Sequence, residues 1–174
     1  LSRRKGFDLL AGAFAQLAAE RPAVRLTVMG DGPYERRGRA ALATCADRVE
    51  FVGFKDWDAL PAVYQSAHVL CVPSRHDGWG LVVPEGLAAG LPVIATDCTG
   101  AARDLIDHGS NGWVVPAGDG AALVDAMRLA TALDETAWCA MSIAARARVS
   151  GHSLEQGATR FLAAVDAALP EERA

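Results

Sequence analysis

The sequence predicts an α/β fold built as a doubly wound parallel sheet. Short β-branched runs, apolar almost throughout, alternate with longer helical patterns along the chain. Strands of this composition are covered on both faces, as in a parallel sheet. The chain has 174 residues, of which 51% are hydrophobic and 22% charged, which fits one globular domain. We therefore expect a single domain over residues 1–174.

Five strands and eight helices are predicted in order. The strands are expected at 24–29, 49–52, 69–72, 93–95 and 113–115. The helices are expected at 7–19, 34–45, 58–66, 82–89, 101–107, 120–132, 135–148 and 154–168. The alternation favours right-handed crossovers between parallel strands, with the last helices packed on the outside. Because a helix begins almost at the first residue, we expect the strand that precedes it to lie upstream, in a longer protein.

Charge and cysteine content argue against several functions. The formal net charge of −4 provides no basic field that would hold a nucleic-acid backbone. No Cys-x-x-Cys pair is present, so the cysteines are interpreted as buried thiols of a cytoplasmic, reducing environment. They are Cys45, Cys71, Cys98 and Cys139. No apolar run approaches the length of a membrane helix.

Glycines follow four of the predicted strands, at the sheet edge where α/β proteins bind ligands. They occur in Gly30-Asp31-Gly32-Pro33, Gly53-Phe54, Ser74 to Gly80, and Thr99-Gly100. The third loop leads into a helix within "SRHDGWGLVVPE", so its backbone amides could bind an anion at the positive end of that helix. A tight turn is the simpler explanation for glycines taken alone.

Two acids flank this third loop. Glu85 falls about one turn into the helix, where carboxylates accept hydrogen bonds from sugar or ribose hydroxyls. Each acid also has a simpler interpretation, because Asp77 precedes a turn-forming glycine and Glu85 lies near a helix N-terminus. Lys5 adds a cation, and Trp79 either stacks on a ring or covers the turn. As one cluster, these residues favour a ligand that carries both phosphate and hydroxyl groups.

Several segments together carry a family resemblance. They are "RRKGFDLLAGAFAQL", "RLTVMGDGP", "RVEFVGF", "VLCVPSRHDGWGLVVPEGLAAGLPVIATDCTG" and "LIDHGSNGWVVPAGD". In this order and spacing the chain resembles the C-terminal, nucleotide-sugar-binding domain of retaining glycosyltransferases of family 4 (group 1), which have two Rossmann-like domains. The most specific element is a pair of acids separated by seven residues. Here the pair is Asp77 and Glu85, and the first acid is one methylene shorter than the family's glutamate.

The resemblance implies a role for each residue of the cluster. Asp77, Gly78, Trp79 and Gly80 would contact the donor hexose, and Glu85 would bind the ribose hydroxyls. The amides of Leu81 and Val82 would meet the diphosphate. Lys5 would neutralise the leaving diphosphate, together with an arginine that the family places just before Leu1. The base would lie near Gly53 and Phe54, with Gly30 and Gly32 bordering the same pocket.

The resemblance also implies an activity. The full-length enzyme would move a hexose from a UDP- or GDP-linked donor to an acceptor hydroxyl, in glycan or glycolipid biosynthesis. Lys5 and the helix amides would stabilise the departing diphosphate electrostatically, so the resemblance implies no metal. The acceptor would bind to an N-terminal domain outside this chain. Peripheral membrane association of the full-length enzyme is compatible with the resemblance. The isolated donor-binding domain should turn over little or nothing.

Three alternatives stay open at this point. A dinucleotide-binding oxidoreductase domain would need a G-x-G-x-x-G loop, which Gly30-Asp31-Gly32-Pro33 does not complete. A synthase or phosphorylase that uses sugar phosphates shares the fold. A non-catalytic nucleotide-sugar-binding module would have lost the activity.

Overall fold

The computed structural model describes residues 1–169 as alternating helices and parallel strands. The elements are α1 (Phe7–Glu20), β1 (Leu26–Met29), α2 (Glu35–Ala41), a 3₁₀ segment (Ala43–Arg48), β2 (Val49–Gly53), a 3₁₀ turn (Trp57–Ala59), α3 (Leu60–Gln65), β3 (Leu70–Val72), α4 (Val82–Ala88), β4 (Val93–Thr96), α5 (Gly100–Leu105), β5 (Gly112–Val115), α6 (Gly120–Ala130), α7 (Glu135–Val149) and α8 (Leu154–Ala168). Each predicted strand and helix is present, which confirms the α/β class.

Strand β4 shows that the sheet is covered on both faces. All four of its residues are buried, and successive residues of a strand point to opposite faces. Ile94 packs in a core that includes residues of α1 and α6, whereas Val93 and Ala95 pack in a second core with residues of α4 and α5. The doubly wound arrangement is therefore confirmed.

The strands form two hydrogen-bonded ladders instead of one continuous sheet. Strand β1 pairs with β2, and β3, β4 and β5 pair in that order, all in parallel. A cavity of about 100 Å³ lies between the ladders. Its apolar lining comes from α1, β1, β3, β4 and α6 and their flanking residues: Leu10, Phe14, Leu17, Val24, Leu26, Val69, Cys71, Ile94, Met127 and Ala130. The expected single sheet is thus interrupted between β1 and β3.

Two helices depart most from their predicted bounds. The helix expected at 34–45 ends at Ala41 and gives way to 3₁₀ geometry, in which Cys45 has the non-helical angles φ −135° and ψ 27°. The helix expected at 58–66 begins at Leu60. Pro61 explains this late start, because proline is tolerated in the first turn of a helix and disrupts its interior.

The expectation that all four cysteines are buried is wrong in part. Cys45 is buried and Cys71 is half-buried. Cys98 is exposed because it lies in a turn, and Cys139 is exposed because it lies on the outer face of α7. Helices α6 and α7 pack on the outside of the domain as expected. Helix α8 buries no residue. Within residues 1–169, no helix combines the length and apolar character that a bilayer crossing requires.

Candidate functional site

The loop between β3 and α4 is held by backbone hydrogen bonds to the turn between β4 and α5. The Asp77 N–H donates to the Cys98 carbonyl at 3.0 Å, and the Gly100 N–H donates to the Asp77 carbonyl at 3.3 Å. The Ala101 N–H donates to the Trp79 carbonyl at 2.7 Å. Asp77 is therefore fixed beside the carboxyl end of β4, where the sequence placed the site.

Two glycines make this close approach possible. Gly80 has φ +84°, and a Cβ there would lie 2.6 Å from Cγ2 of Thr99. A Cβ on Gly100 would overlap the carbonyl oxygen of Gly78. The sequence pattern indicated Gly78 and Gly80 as site residues, but not Gly100. The signal available for Gly100 was its place in the loop after the fourth predicted strand.

A run of unpaired backbone amides lines the loop. Among the described residues, the N–H groups from Gly78 to Val82 donate to no acceptor, and Val83 is the first to do so, bonding to the Gly80 carbonyl at 2.9 Å. Trp79 and Leu81 are exposed, at 42% and 66%. Consecutive free amides at the start of a helix favour a bound anion. Of the two residues expected to meet the diphosphate, Leu81 is exposed and Val82 is half-buried.

Lys5 reaches the same loop from the other side. Its ammonium group forms an ion pair with the Asp77 carboxylate, and the two side chains are 45% and 12% exposed. The neighbouring Gly6 has φ +69° and lies directly against the Pro73 carbonyl. A Cβ at this position would overlap that carbonyl, so the close approach of Lys5 and its segment to the loop after β3 requires glycine. The sequence predicts that Lys5 and Asp77 contact different parts of one ligand, and the structure shows that the two side chains also pair with each other.

A bidentate ion pair joins the start of α1 to the same loop. The Arg75 guanidinium donates to both carboxylate oxygens of Asp8, at 2.6 and 2.8 Å. It also donates to the Arg3 carbonyl at 2.8 Å. The hydrogen bond from Arg75 lowers the pKa of Asp8. Sequence reasoning missed this pair, which fixes the segment that carries Lys5 against the loop that carries Asp77.

Glu85 is held from a different helix. It lies in the first turn of α4, and its Oε2 accepts a hydrogen bond of 2.8 Å from the hydroxyl of Tyr64 on α3. Tyr64 is 6% exposed. Burial, with a smaller contribution from Glu85, raises the pKa of its phenol. The sequence analysis missed Tyr64 because nothing in its local pattern distinguishes it from a core residue.

The residues expected near the base lie at the ends of β1 and β2. The Gly30 N–H donates to the Gly53 carbonyl at 2.7 Å, which joins the two loops. Phe54 follows them and is 72% exposed. Gly32, with φ +145°, lies directly against the backbone of Leu1.

The segment 1–6 connects the two parts of the site. Leu1 accepts a hydrogen bond of 3.1 Å from the Tyr34 N–H after β1, whereas Arg4 accepts one of 2.8 Å from the Arg75 N–H after β3. All predicted site residues thus lie along the carboxyl edge of the strands. Within residues 1–169, no three His, Cys, Asp or Glu side chains are grouped so that they could hold a metal ion.

Comparison with known proteins gives consistent matches. The family model described as "Glycosyl transferases group 1" matches residues 1–132. The putative colanic acid biosynthesis glycosyltransferase WcaL of Salmonella typhimurium is 30% identical over 173 residues, which cover 95% of this chain and 42% of that protein. The chain therefore spans less than half the length of this relative.

Two solved structures show the same fold. Anabaena Alr3699/HepE in complex with UDP has a TM-score of 0.85 at 22% identity, over 96% of this chain and 46% of that one. A sucrose-phosphate synthase from Thermosynechococcus elongatus has a TM-score of 0.79 at 30% identity, over 97% of this chain and 44% of that one.

Proposed function

Because this chain belongs to the glycosyl transferases group 1 family, we propose that it is the donor-binding domain of a retaining hexosyltransferase. The enzyme transfers a hexose from a UDP- or GDP-linked donor to an acceptor hydroxyl and keeps the anomeric configuration. The acceptor binds to a second domain upstream of this chain. Without that domain, this chain turns over little or nothing. The name of the Salmonella relative supports a role in polysaccharide biosynthesis, and the four free thiols support a reducing, cytoplasmic location.

The observation that carries this proposal is the run of unpaired amides from Gly78 to Val82, with an acid at each end of the motif. The amides of Leu81 and Val82 bind the diphosphate, and Glu85 binds the ribose hydroxyls. Asp77 and the glycine loop bind the hexose, and the base lies beside Gly53 and Phe54.

Lys5 acts on the leaving group in this proposal. As the bond between the anomeric carbon and the diphosphate breaks, negative charge grows on the departing oxygen. Lys5 and the loop amides stabilise that charge electrostatically, so the reaction requires no metal. Lys5 also forms an ion pair with Asp77, so a diphosphate that binds Lys5 competes with Asp77 for the ammonium group.

A second candidate function is transfer to a sugar phosphate, as in a synthase. The similarity to a sucrose-phosphate synthase, at 30% identity over 97% of this chain, favours this alternative. Both functions use the same donor site and differ in the acceptor. Assaying the full-length protein with sugar phosphates as acceptors distinguishes them.

The donor proposal is tested by titrating the full-length protein with UDP, GDP, ADP and their sugar conjugates, by calorimetry and by NMR. We expect the calorimeter to show saturable binding of one nucleotide. We expect the NMR titration to show amide chemical-shift changes centred on Gly78 to Val82 and Glu85. Absence of binding at millimolar nucleotide, or shifts confined to other parts of the protein, would refute it.

A further inference from the structure

The carboxylate of Glu85 uses only part of its hydrogen-bonding capacity within the described residues. Its Oε2 accepts the hydrogen bond from Tyr64. Among the described residues, no other group donates to this carboxylate, so Oε1 has no protein partner. A carboxylate accepts about four hydrogen bonds, and most of this capacity is therefore left for a ligand.

Tyr64 is suited to fixing an acid. Its ring is buried, and a buried phenol needs a hydrogen-bond partner. Because burial and the nearby Glu85 raise its pKa, the hydroxyl keeps its proton and donates to the carboxylate. Such a charge-assisted bond is stronger than a neutral one. The terminal torsion of a glutamate is otherwise broad and roughly two-fold, so this bond selects one orientation.

We propose that Tyr64 is a positioning residue that orients Glu85 so that Oε1 accepts hydrogen bonds from the ribose hydroxyls of the nucleotide. This inference rests on the proposed function. The bond joins α3, which precedes β3 in the chain, to α4, which follows it. Tyr64 thereby ties the orientation of the ribose-binding acid to a helix that does not belong to the loop itself.

The test is the substitution Tyr64→Phe in the full-length protein, which removes the hydroxyl and keeps the ring. Dissociation constants are measured for UDP and 2′,3′-dideoxy-UDP, or for the GDP pair if GDP is the nucleotide bound. We expect affinity for the ribonucleotide to fall about tenfold and affinity for the dideoxy analogue to stay unchanged. Tyr34→Phe is the matched control, because no described residue hydrogen-bonds that hydroxyl, and it should leave the ratio unchanged.

The background Glu85→Ala distinguishes positioning from stability. There, Tyr64→Phe should change the ribonucleotide preference no further, since the oriented oxygen is already gone. If the wild type prefers the ribonucleotide and Tyr64→Phe keeps the full preference, Tyr64 has a packing role only and the inference is wrong, while the proposed function stands. If the wild type binds both nucleotides equally, the ribose assignment of Glu85 fails and this inference fails with it.

A second measurement needs no substitution at Tyr64. A buried hydroxyl proton that donates to a carboxylate should exchange slowly and give a separate NMR resonance in the wild type. That resonance should persist when UDP or GDP binds and disappear in Glu85→Ala. Its absence in the wild type, or its loss when the nucleotide binds, would overturn the proposal.

Discussion

Glu85 is the single residue on which nucleotide affinity should depend most directly. Glu85→Ala removes the proposed acceptor of the ribose hydroxyls and leaves the Tyr64 hydroxyl without its carboxylate partner. We expect nucleoside diphosphate binding to weaken by about 1–3 kcal/mol, measured by calorimetry on the full-length protein. Glu155→Ala is the matched control, because Glu155 is also an acid in the first turn of a helix and is exposed on α8. Equal affinities for the two variants would contradict the role of Glu85.

Single residues of the site were predictable where chemistry and spacing coincide along the chain. Asp77, Glu85 and the glycines between them fall in one short stretch, and their pattern can be recognised without a structure. Tyr64 is 21 residues from Glu85, and Arg75 is 67 residues from Asp8. Such partners meet only through the fold, so the sequence pattern did not reveal them.

Helix α1 and the β3–α4 loop are coupled by the ion pair of Asp8 with Arg75, and this coupling should depend on pH. The two side chains are 26% and 24% exposed, so solvent screens the pair and its contribution is small. We expect Asp8→Asn to lower the free energy of unfolding at neutral pH by about 1 kcal/mol. The pH dependence separates this electrostatic effect from a change in packing.

The sign follows from the pKa of Asp8, which is lower in the folded protein than its ordinary value of 3.8. The stabilisation is therefore fully present above that value and is lost as the pH falls through the lower folded-state pKa. Urea unfolding at several pH values should show wild type and Asp8→Asn converging in acid. Asp166→Asn on the exposed helix α8 is the control. A difference that persists undiminished in acid would show that the pair is not its cause.

Contact between Gly100, at the start of α5, and the β3–α4 loop should also be sensitive to one methyl group. In Gly100→Ala the new Cβ overlaps the Gly78 carbonyl, so the loop must move away from α5. We expect a loss of about 1–3 kcal/mol in stability, together with weaker nucleotide binding. Thermal unfolding and calorimetry measure the two effects.

Gly120→Ala provides the comparison for this element. Gly120 is the first residue of α6, as Gly100 is of α5, and no atom lies within 4 Å of a Cβ built on it. It should leave nucleotide binding unchanged. If both alanine variants behave alike, crowding against Gly78 is not the reason for the glycine.

Elements were more predictable than their ends and their partners. Alternating apolar runs identified every strand, because a buried strand must be apolar on both faces. The pattern did not reveal where α2 gives way to 3₁₀ geometry. Cys45 is apolar and buried, as a residue on the inner face of a continued helix would be, so the sequence does not mark the change. The pattern predicted α8 with its observed bounds, but it did not show that apolar residues of this helix, such as Leu154 and Phe161, would be 89% and 68% exposed.

For the molecule as a whole, the interruption between the two ladders is the feature that a local pattern cannot show. Among the described residues, strands β1 and β3 each have one hydrogen-bonded neighbour, β2 and β4, and both contribute to the apolar cavity between them. Unpaired strand edges beside an apolar cavity are unfavourable, because backbone amides and carbonyls need partners. Segment 1–6 crosses the carboxyl edge above this gap, from the loop after β1 to the loop after β3.

The last prediction follows from this geometry. A strand that runs through the gap parallel to β1 and β3 would end at Leu1, and the arginine expected just before Leu1 would then lie close to the free amides and Lys5. We expect the protein that includes its natural upstream segment to bind the nucleoside diphosphate more tightly than a version that begins at Leu1. The β1 and β3 amides should also be more strongly protected from hydrogen exchange.

Replacing only that arginine by alanine should keep the protection and lose the gain in affinity, because strand pairing depends on the backbone and phosphate binding on the side chain. Equal affinity and equal exchange in the two versions would contradict both parts of the prediction.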